Sequence, residues 1–134
     1  DDLVLSMLRK PVTEAVAAGG YVLDGFPRTV EQAEAAYAVA KDLGVAVQVA
    51  VHLAVDPAAL VERLIARGEA SGRTDDNPEV IRHRIDVYEE RTAPLIAYYA
   101  ERERLVQVNG DRPIDEVTWS VVVQLQKVRR LLAD

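Results

Sequence analysis

A chain of 134 residues that is 49% apolar and 28% charged is typical of one globular domain and unlike a disordered segment. It has no cysteine, which excludes a disulfide framework and a thiolate metal site, and its two histidines are too few for a histidine-rich site. A net charge of −6 argues against a nucleic-acid partner. Without a visible signal peptide or an apolar run of ~20 residues, we expect a cytoplasmic protein with no membrane partner.

The N-terminal segment predicts a helix followed by a short strand. Residues 3–8 place apolar side chains at helical spacing, and Pro11 is expected to interrupt that helix. The helix is expected to resume over 13–18 and to end at Gly19-Gly20. Residues 21–24 then predict a short buried strand.

The next segment repeats this alternation. Thr29 is a suitable N-cap for a helix that we expect to run to about residue 43. Residues 45–55 are almost continuously apolar, as in a strand that is covered on both faces. Asp56-Pro57 is a helix start, and that helix is expected to end near Arg67. Residues 68–72, rich in glycine and small polar side chains, predict a flexible connection.

The C-terminal segment predicts a long helix over 78–104 that Pro94 bends, a third strand at 105–108 and a last helix at 113–132. Strands separated by helices favour a parallel sheet with helices on both faces, in three layers. We therefore expect an α/β fold in which residues 1–134 form a single domain.

The short run Asp24-Gly25-Phe26-Pro27-Arg28 comes directly after the first predicted strand. In an open parallel sheet, ligands bind at the carboxyl ends of the strands. There, Asp24 suits a metal ion or its waters, Arg28 a phosphate, and the amide of Gln32 the edge of a base. A plain strand-to-helix turn with an ordinary salt bridge at Arg28 fits the same residues, so both interpretations stay open.

Thirteen of the 16 basic residues are arginines, and several stand at defined places. Arg63 and Arg67 share a helix face at i, i+4 spacing, Arg73 follows the flexible connection, and Arg84 lies on the next helix. Solvated surface charge is the ordinary alternative for each of them. Arginines on both sides of a glycine-rich loop suggest a phosphate clamp, with Asp75-Asp76 beside Arg73 to orient it.

Two motifs then resemble a known family. The run DGFPRTVEQ, residues 24–32, resembles the signature of adenylate kinases, and GRTDDNPEVIRHRIDVYEERTAPLIAYY, residues 72–99, resembles the segment after their lid. The resemblance implies a P-loop-kinase fold with a short lid at about 68–72. It also implies phosphoryl transfer from ATP to AMP that gives two ADP, Mg²⁺ as cofactor, and a monomeric parent protein.

The resemblance also implies roles for individual residues. AMP would be bound by Arg28, Gln32, Arg73 and Arg84. ATP would be bound by Arg63, Arg67 and, at its adenine, the backbone near Arg112. The catalytic set would be Arg28, Arg67, Arg73 and Arg84. Asp24 would hold waters around Mg²⁺, and Asp75 and Asp76 would position the lid arginines.

One expected motif is absent from the 134 residues: the phosphate loop GxxxxGK[ST]. Since the chain begins Asp1-Asp2-Leu3 without Met, we expect an N-terminally truncated adenylate kinase that lacks the first, central strand and the phosphate loop. Such a chain would have unpaired strand edges and no activity alone. The alternatives are a UMP/CMP-type nucleoside monophosphate kinase and a non-catalytic nucleotide-binding fragment.

Overall fold

The computed structural model describes residues 2–133, apart from the side chain of Asp75. In chain order these residues form α1 (Asp2–Ala18), α2 (Val30–Asp42), β1 (Ala50–Ala54), α3 (Pro57–Ser71), α4 (Pro78–Val87), α5 (Pro94–Glu101), β2 (Leu105–Asn109) and α6 (Ile114–Ala133). A 3₁₀ turn, Thr74–Asp76, precedes α4, and a π-helical turn, Tyr88–Thr92, joins α4 to α5. The expected α/β class is confirmed.

The sheet over the described residues is a parallel pair of β1 and β2. The register runs from Ala50 opposite Leu105 to Ala54 opposite Asn109. The crossover between them contains α3, α4 and α5, which is how a chain joins parallel strands. Both strands therefore end at the same edge, and the loops that follow them are neighbours.

Two strand predictions are wrong, one entirely and one in extent. Residues 21–24 have no strand structure, and the predicted strand at 45–55 is a strand only over Ala50–Ala54. A β-strand is defined by the backbone hydrogen bonds of a partner, and β2 offers only five paired positions. Within residues 2–133 the other edge of β1 has no paired strand, and Val51 and Leu53 are 37% and 49% exposed.

Two helix predictions also need correction. Pro11 does not interrupt α1, which continues from Asp2 to Ala18 with the proline inside it. The predicted loop at 68–72 is helical as far as Ser71, and Gly72 caps α3 in the left-handed conformation, with φ +65°. Whether residues 68–72 act as a lid stays a prediction.

The packing around Gly68 explains why α3 continues through the predicted loop to Ser71. A Cβ atom at this position would lie 2.7 Å from the carbonyl oxygen of Asp76 and 2.8 Å from its Cβ. Glycine in a helix costs only about 1 kcal/mol relative to alanine. Its missing side chain lets the backbone of the 3₁₀ turn pack directly on α3, so this glycine serves close packing within a helix.

The predicted helix over 78–104 is divided by the π-helical turn and ends at Glu101. Pro94, the first residue of α5, has no backbone N–H with which to continue an α-helical ladder. The helix widens to a π-helical turn instead, in which the N–H of Ala93 donates to the carbonyl of Tyr88, five residues earlier, over 2.8 Å. The bend predicted near Pro94 therefore takes the form of a π-helical turn, Tyr88–Thr92.

The helix starts predicted from capping residues are confirmed. The hydroxyl of Thr29 accepts from the N–H of Gln32, and the carboxylate of Asp56 accepts from the N–H groups of Ala58 and Ala59. The most buried apolar side chains come from α2, α4, α5 and β2, namely Ala33, Ala40, Ile81, Leu95 and Val108. Among the described helices, none is long and apolar enough to cross a membrane.

Candidate functional site

The loop Asp24–Arg28, called the Arg28 loop below, is held by local hydrogen bonds. Gly25 has φ +78°, a left-handed conformation that favours glycine, and its carbonyl accepts from Nε of Arg28 over 2.8 Å. The peptide bond between Phe26 and Pro27 is cis. The backbone N–H of Arg28 donates to Oε1 of Gln32, also over 2.8 Å. Backbone and side chain of Arg28 are thus both fixed in direction.

The terminal nitrogens of Arg28, Nη1 and Nη2, have no hydrogen-bond or ion-pair partner within residues 2–133. The side chain is exposed, as is that of Asp24 at the start of the loop. A guanidinium whose Nε is already bound presents its remaining N–H groups in a fixed plane. This plane suits an incoming phosphate or carboxylate.

A contact from far along the chain also reaches the Arg28 loop. The hydroxyl of Thr92, in the π-helical turn, donates to the carbonyl oxygen of Arg28 over 2.8 Å. The two residues are 64 positions apart in the sequence. The Arg28 loop is therefore tied to the segment that connects α4 and α5.

A second group of residues surrounds one carboxylate and is called the Asp76 cluster: Asp76, Arg67, Arg73 and Arg84. Nε and Nη2 of Arg67 donate to the two oxygens of Asp76 over 2.5 Å and 2.7 Å. Nη1 of Arg84 donates to Oδ1 over 3.0 Å. Nε of Arg73 lies 3.8 Å from Oδ2. One acidic side chain thus binds three arginines from three different segments.

Burial differs sharply within the Asp76 cluster. The side chain of Asp76 is fully buried, whereas those of Arg67, Arg73 and Arg84 are 43%, 49% and 46% exposed. A buried carboxylate has to be paired, and here the pairing is bidentate with Arg67. The arginines are anchored at one side, and part of each side chain still faces solvent. Such fixed cations are suited to a multiply charged anion.

The third group lies where β1 and β2 end. Nη1 of Arg63 donates to the carbonyl of Gly110 over 3.0 Å, and Nη2 lies 3.7 Å from Oδ1 of Asp111. The other carboxylate oxygen of Asp111 accepts from the N–H of Asp56 over 2.8 Å. These contacts join the loops after the two strands. Between the loops is an open cleft of about 460 Å³.

The described residues contain no group of three or more His, Asp or Glu side chains that could hold a metal ion. The carboxylate of Asp24 is exposed. Mg²⁺ commonly keeps several of its waters and takes one or two carboxylates besides substrate phosphates. A contact through water at Asp24 therefore fits the chemistry of this loop.

The sequence profile of the family described as "Adenylate kinase" matches residues 1–104. The chain belongs to the adenylate kinase family. The matched part includes the Arg28 loop and the Asp76 cluster, whereas Gly110 and Asp111 lie beyond it.

Individual relatives agree with the adenylate kinase assignment. A protein named "Adenylate kinase" from Phenylobacterium zucineum (strain HLK1) is 44% identical over 90% of this chain and 64% of its own length. The protein of the same name from Xanthomonas oryzae pv. oryzae (strain MAFF 311018) is 41% identical over 98% of this chain and 67% of its own length. The one from Kocuria rhizophila is 40% identical over 95% and 68%. The chain thus spans about two thirds of the length of these relatives.

The structure brings together some of the residues that the adenylate kinase resemblance singled out. Arg67, Arg73 and Arg84 meet at Asp76, and Arg28 contacts Gln32. The side chain of Asp75 lies outside the described residues. The nucleotide-binding roles of all these side chains stay predictions.

Arg63 donates to the carbonyl of Gly110 in the loop that contains Arg112, whereas the side chain of Arg112 pairs with Glu116 over 3.3 Å. Two contributors were not predicted from the sequence, Asp111 and Thr92. Asp111 had a usable signal, since an acid at the end of a strand marks the same edge as Asp56. Thr92 had only an indirect signal, the proline two positions later.

Proposed function

We propose that this chain carries the arginine-bearing part of an adenylate kinase, which transfers the terminal phosphoryl group of ATP to AMP and yields two ADP. The observation that carries the proposal is the convergence of Arg67, Arg73 and Arg84 on the buried carboxylate of Asp76. A monomeric cytoplasmic parent protein belongs to the same proposal. Family membership and the fixed arginines support it together.

Phosphoryl transfer suits such a cluster of fixed arginines. The attacking atom is a phosphate oxygen of AMP, so the reaction needs no nucleophilic side chain. Catalysis consists mainly of positioning and of stabilising negative charge on the moving group. Guanidinium groups held in place before the substrate arrives need not reorganise during the reaction, and that is the basis of electrostatic catalysis. Arg67, Arg73 and Arg84 would supply this charge.

At the acceptor end, Arg28 would bind the AMP phosphate through Nη1 and Nη2. Gln32, whose Oε1 accepts from the N–H of Arg28, would read the adenine through its side-chain amide. At the donor end, Arg63 would lie beside the adenine of ATP, together with the backbone before Arg112. The hydrogen bond between Arg63 and Gly110 supports a single donor site formed by these two segments.

Asp24 is the residue that would hold the waters of Mg²⁺. When bound with ATP, Mg²⁺ neutralises phosphate charge. The part of Asp24 itself is to orient those waters by accepting their hydrogen bonds. Its exposure at the start of the Arg28 loop supports this role.

The direct test is ADP formation from ATP, AMP and Mg²⁺ by the chain mixed with a peptide that supplies a first strand and a phosphate loop, together with the affinity of the chain for each nucleotide by NMR titration. We expect Arg28→Ala to weaken AMP binding by about tenfold or more, because it removes a charge-assisted contact. ATP binding should then change by less than twofold. Arg129→Ala, which removes an exposed arginine of α6 outside the site, is the matched control and should change neither affinity.

The alternatives give different results in the same experiment. Tighter binding of UMP or CMP than of AMP would assign the chain to a different nucleoside monophosphate kinase. Binding of AMP and ATP without ADP formation in that mixture would identify a nucleotide-binding fragment. If the chain binds no nucleotide, or if Arg28→Ala binds AMP as the wild type does, the proposal is wrong.

A further inference from the structure

The main chain of Arg28 is held from both sides. Its N–H donates to Oε1 of Gln32, and its carbonyl accepts from the hydroxyl of Thr92, each over 2.8 Å. The first bond is local, since Gln32 is four residues away on α2. The second joins the loop to a distant element. Together with the bond between Nε and Gly25, three hydrogen bonds define where the guanidinium points.

The bond from Thr92 is unusual for a threonine in a helix. Such hydroxyls ordinarily bond to the carbonyl four residues earlier in the same helix. Thr13 does so in α1, where its hydroxyl donates to the carbonyl of Arg9 over 2.8 Å. Thr92 instead donates across 64 residues to another part of the chain. Its hydroxyl therefore serves a tertiary contact and not its own helix.

The position of Thr92 depends on the π-helical turn. Pro94 interrupts the α-helical ladder, and the extra residue in the turn changes the direction of the side chains that precede it. The same continuous segment carries Arg84 of the Asp76 cluster, eight residues before Thr92. One continuous segment thus contributes Arg84 to the Asp76 cluster and contacts the Arg28 loop through the side chain of Thr92.

We propose that Thr92 is a positioning residue for the acceptor site: its hydroxyl holds the carbonyl of Arg28 and thereby directs the guanidinium toward the phosphate of AMP. The inference rests on the proposed function for the identity of the ligand. It goes further in assigning a role to a residue that contacts no nucleotide itself. Thr92 acts entirely through Arg28.

The test compares Thr92→Val, Thr92→Ser and the control Thr13→Val in the full 134-residue chain. Valine keeps the shape of threonine and removes the hydroxyl, and serine keeps the hydroxyl. By NMR titration, we expect Thr92→Val to raise the Kd for AMP by roughly three- to tenfold, the effect of one lost hydrogen bond. The Kd for ATP with Mg²⁺ should change by less than twofold. Thr92→Ser and Thr13→Val should bind both nucleotides like the wild type.

A second readout does not depend on nucleotide. The amide hydrogen of Arg28, which donates to Gln32, should exchange with solvent several-fold faster in Thr92→Val, because the loop opens more often once its carbonyl is released. Thr13→Val should leave that rate unchanged. A general loss of stability would speed exchange throughout the chain and would weaken ATP binding as well.

Each outcome supports or overturns either the positioning role of Thr92 or the proposed function. Unchanged AMP affinity in Thr92→Val, or an equal loss for AMP and ATP, overturns the positioning role. If the wild-type chain binds no AMP, the proposed function fails. The exchange rate at Arg28 then still decides the structural part: faster exchange in Thr92→Val supports it, and an unchanged rate overturns it.

Discussion

Replacing Asp76 with asparagine tests the centre of the proposed site. The change keeps the size of the side chain, removes its charge and turns one acceptor oxygen into an N–H donor. That donor would then face guanidinium N–H groups, which cannot accept. Arg67 would lose its bidentate partner, and the bond to Arg84 would be lost or weakened.

The magnitude follows from these contacts. A hydrogen bond to a charged group contributes about 1.5–3 kcal/mol, and removing one partner of a buried ion pair costs about 3–5 kcal/mol. The side chains of Arg67 and Arg84 are 43% and 46% exposed, so water compensates part of their loss. We therefore expect Asp76→Asn to lower the free energy of unfolding by about 2–3 kcal/mol. That is a large share of the ~5–15 kcal/mol that stabilises a typical domain.

Urea unfolding followed by circular dichroism measures this change. With a slope of about 1–3 kcal/mol per molar urea, the midpoint should fall by about 1–2 M. Asp86→Asn makes the same substitution at an exposed position of α4 and should change stability by less than about 0.5 kcal/mol. If Asp76→Asn unfolds at the same urea concentration as Asp86→Asn, the bonds around Asp76 do not stabilise the fold, and the reasoning is refuted.

Three further predictions concern other positions. Gly68→Ala should destabilise the chain by more than about 1 kcal/mol in urea, although alanine favours helices, because its Cβ would lie 2.7 Å from the carbonyl of Asp76; a gain in stability would contradict this. Glu103→Gly should stabilise it by about 0.5–1 kcal/mol, since Glu103 has φ +54°, and a loss would show that its side chain matters more than its backbone. Burial raises the pKa of Tyr88 and Tyr99 above the ordinary value of 10.0. The protonated phenols therefore contribute fully to stability below pH 10, and this contribution is lost as the pH rises through their folded-state pKa values. In urea titrations, the stability of Tyr99→Phe should therefore fall less than that of the wild type as the pH is raised above 10. An identical fall would contradict the raised pKa of Tyr99.

The sequence predicted best what depends on neighbouring residues. The caps at Thr29 and Asp56 form where they were expected, because an N-cap side chain bonds to N–H groups only two or three positions away. The parallel arrangement of the strands also follows from local order, since a helical crossover leaves few other topologies.

The extent of the strands could not be predicted in the same way. Residues 21–24 and 45–49 have the composition of strands, but an apolar run becomes a strand only where another backbone pairs with it. Within residues 2–133 the ladder has the length of β2. A pattern of apolar residues reports burial and propensity, and it carries no information about the partner.

The same limit applies to the site, where the order of residues in the sequence does not indicate the partners of Asp76 and Thr92. Sequence order placed Asp76 beside Arg73, yet the short bonds of Asp76 go to Arg67 and Arg84, and Arg73 is the most distant of the three. Thr92 likewise contacts Arg28 across 64 residues. Since α4 carries Arg84 and continues into the turn that contains Thr92, the geometry of the Asp76 cluster and that of the Arg28 loop depend on one segment. The residue types of the proposed phosphate site were found from the sequence, but this shared support becomes visible only in the folded chain.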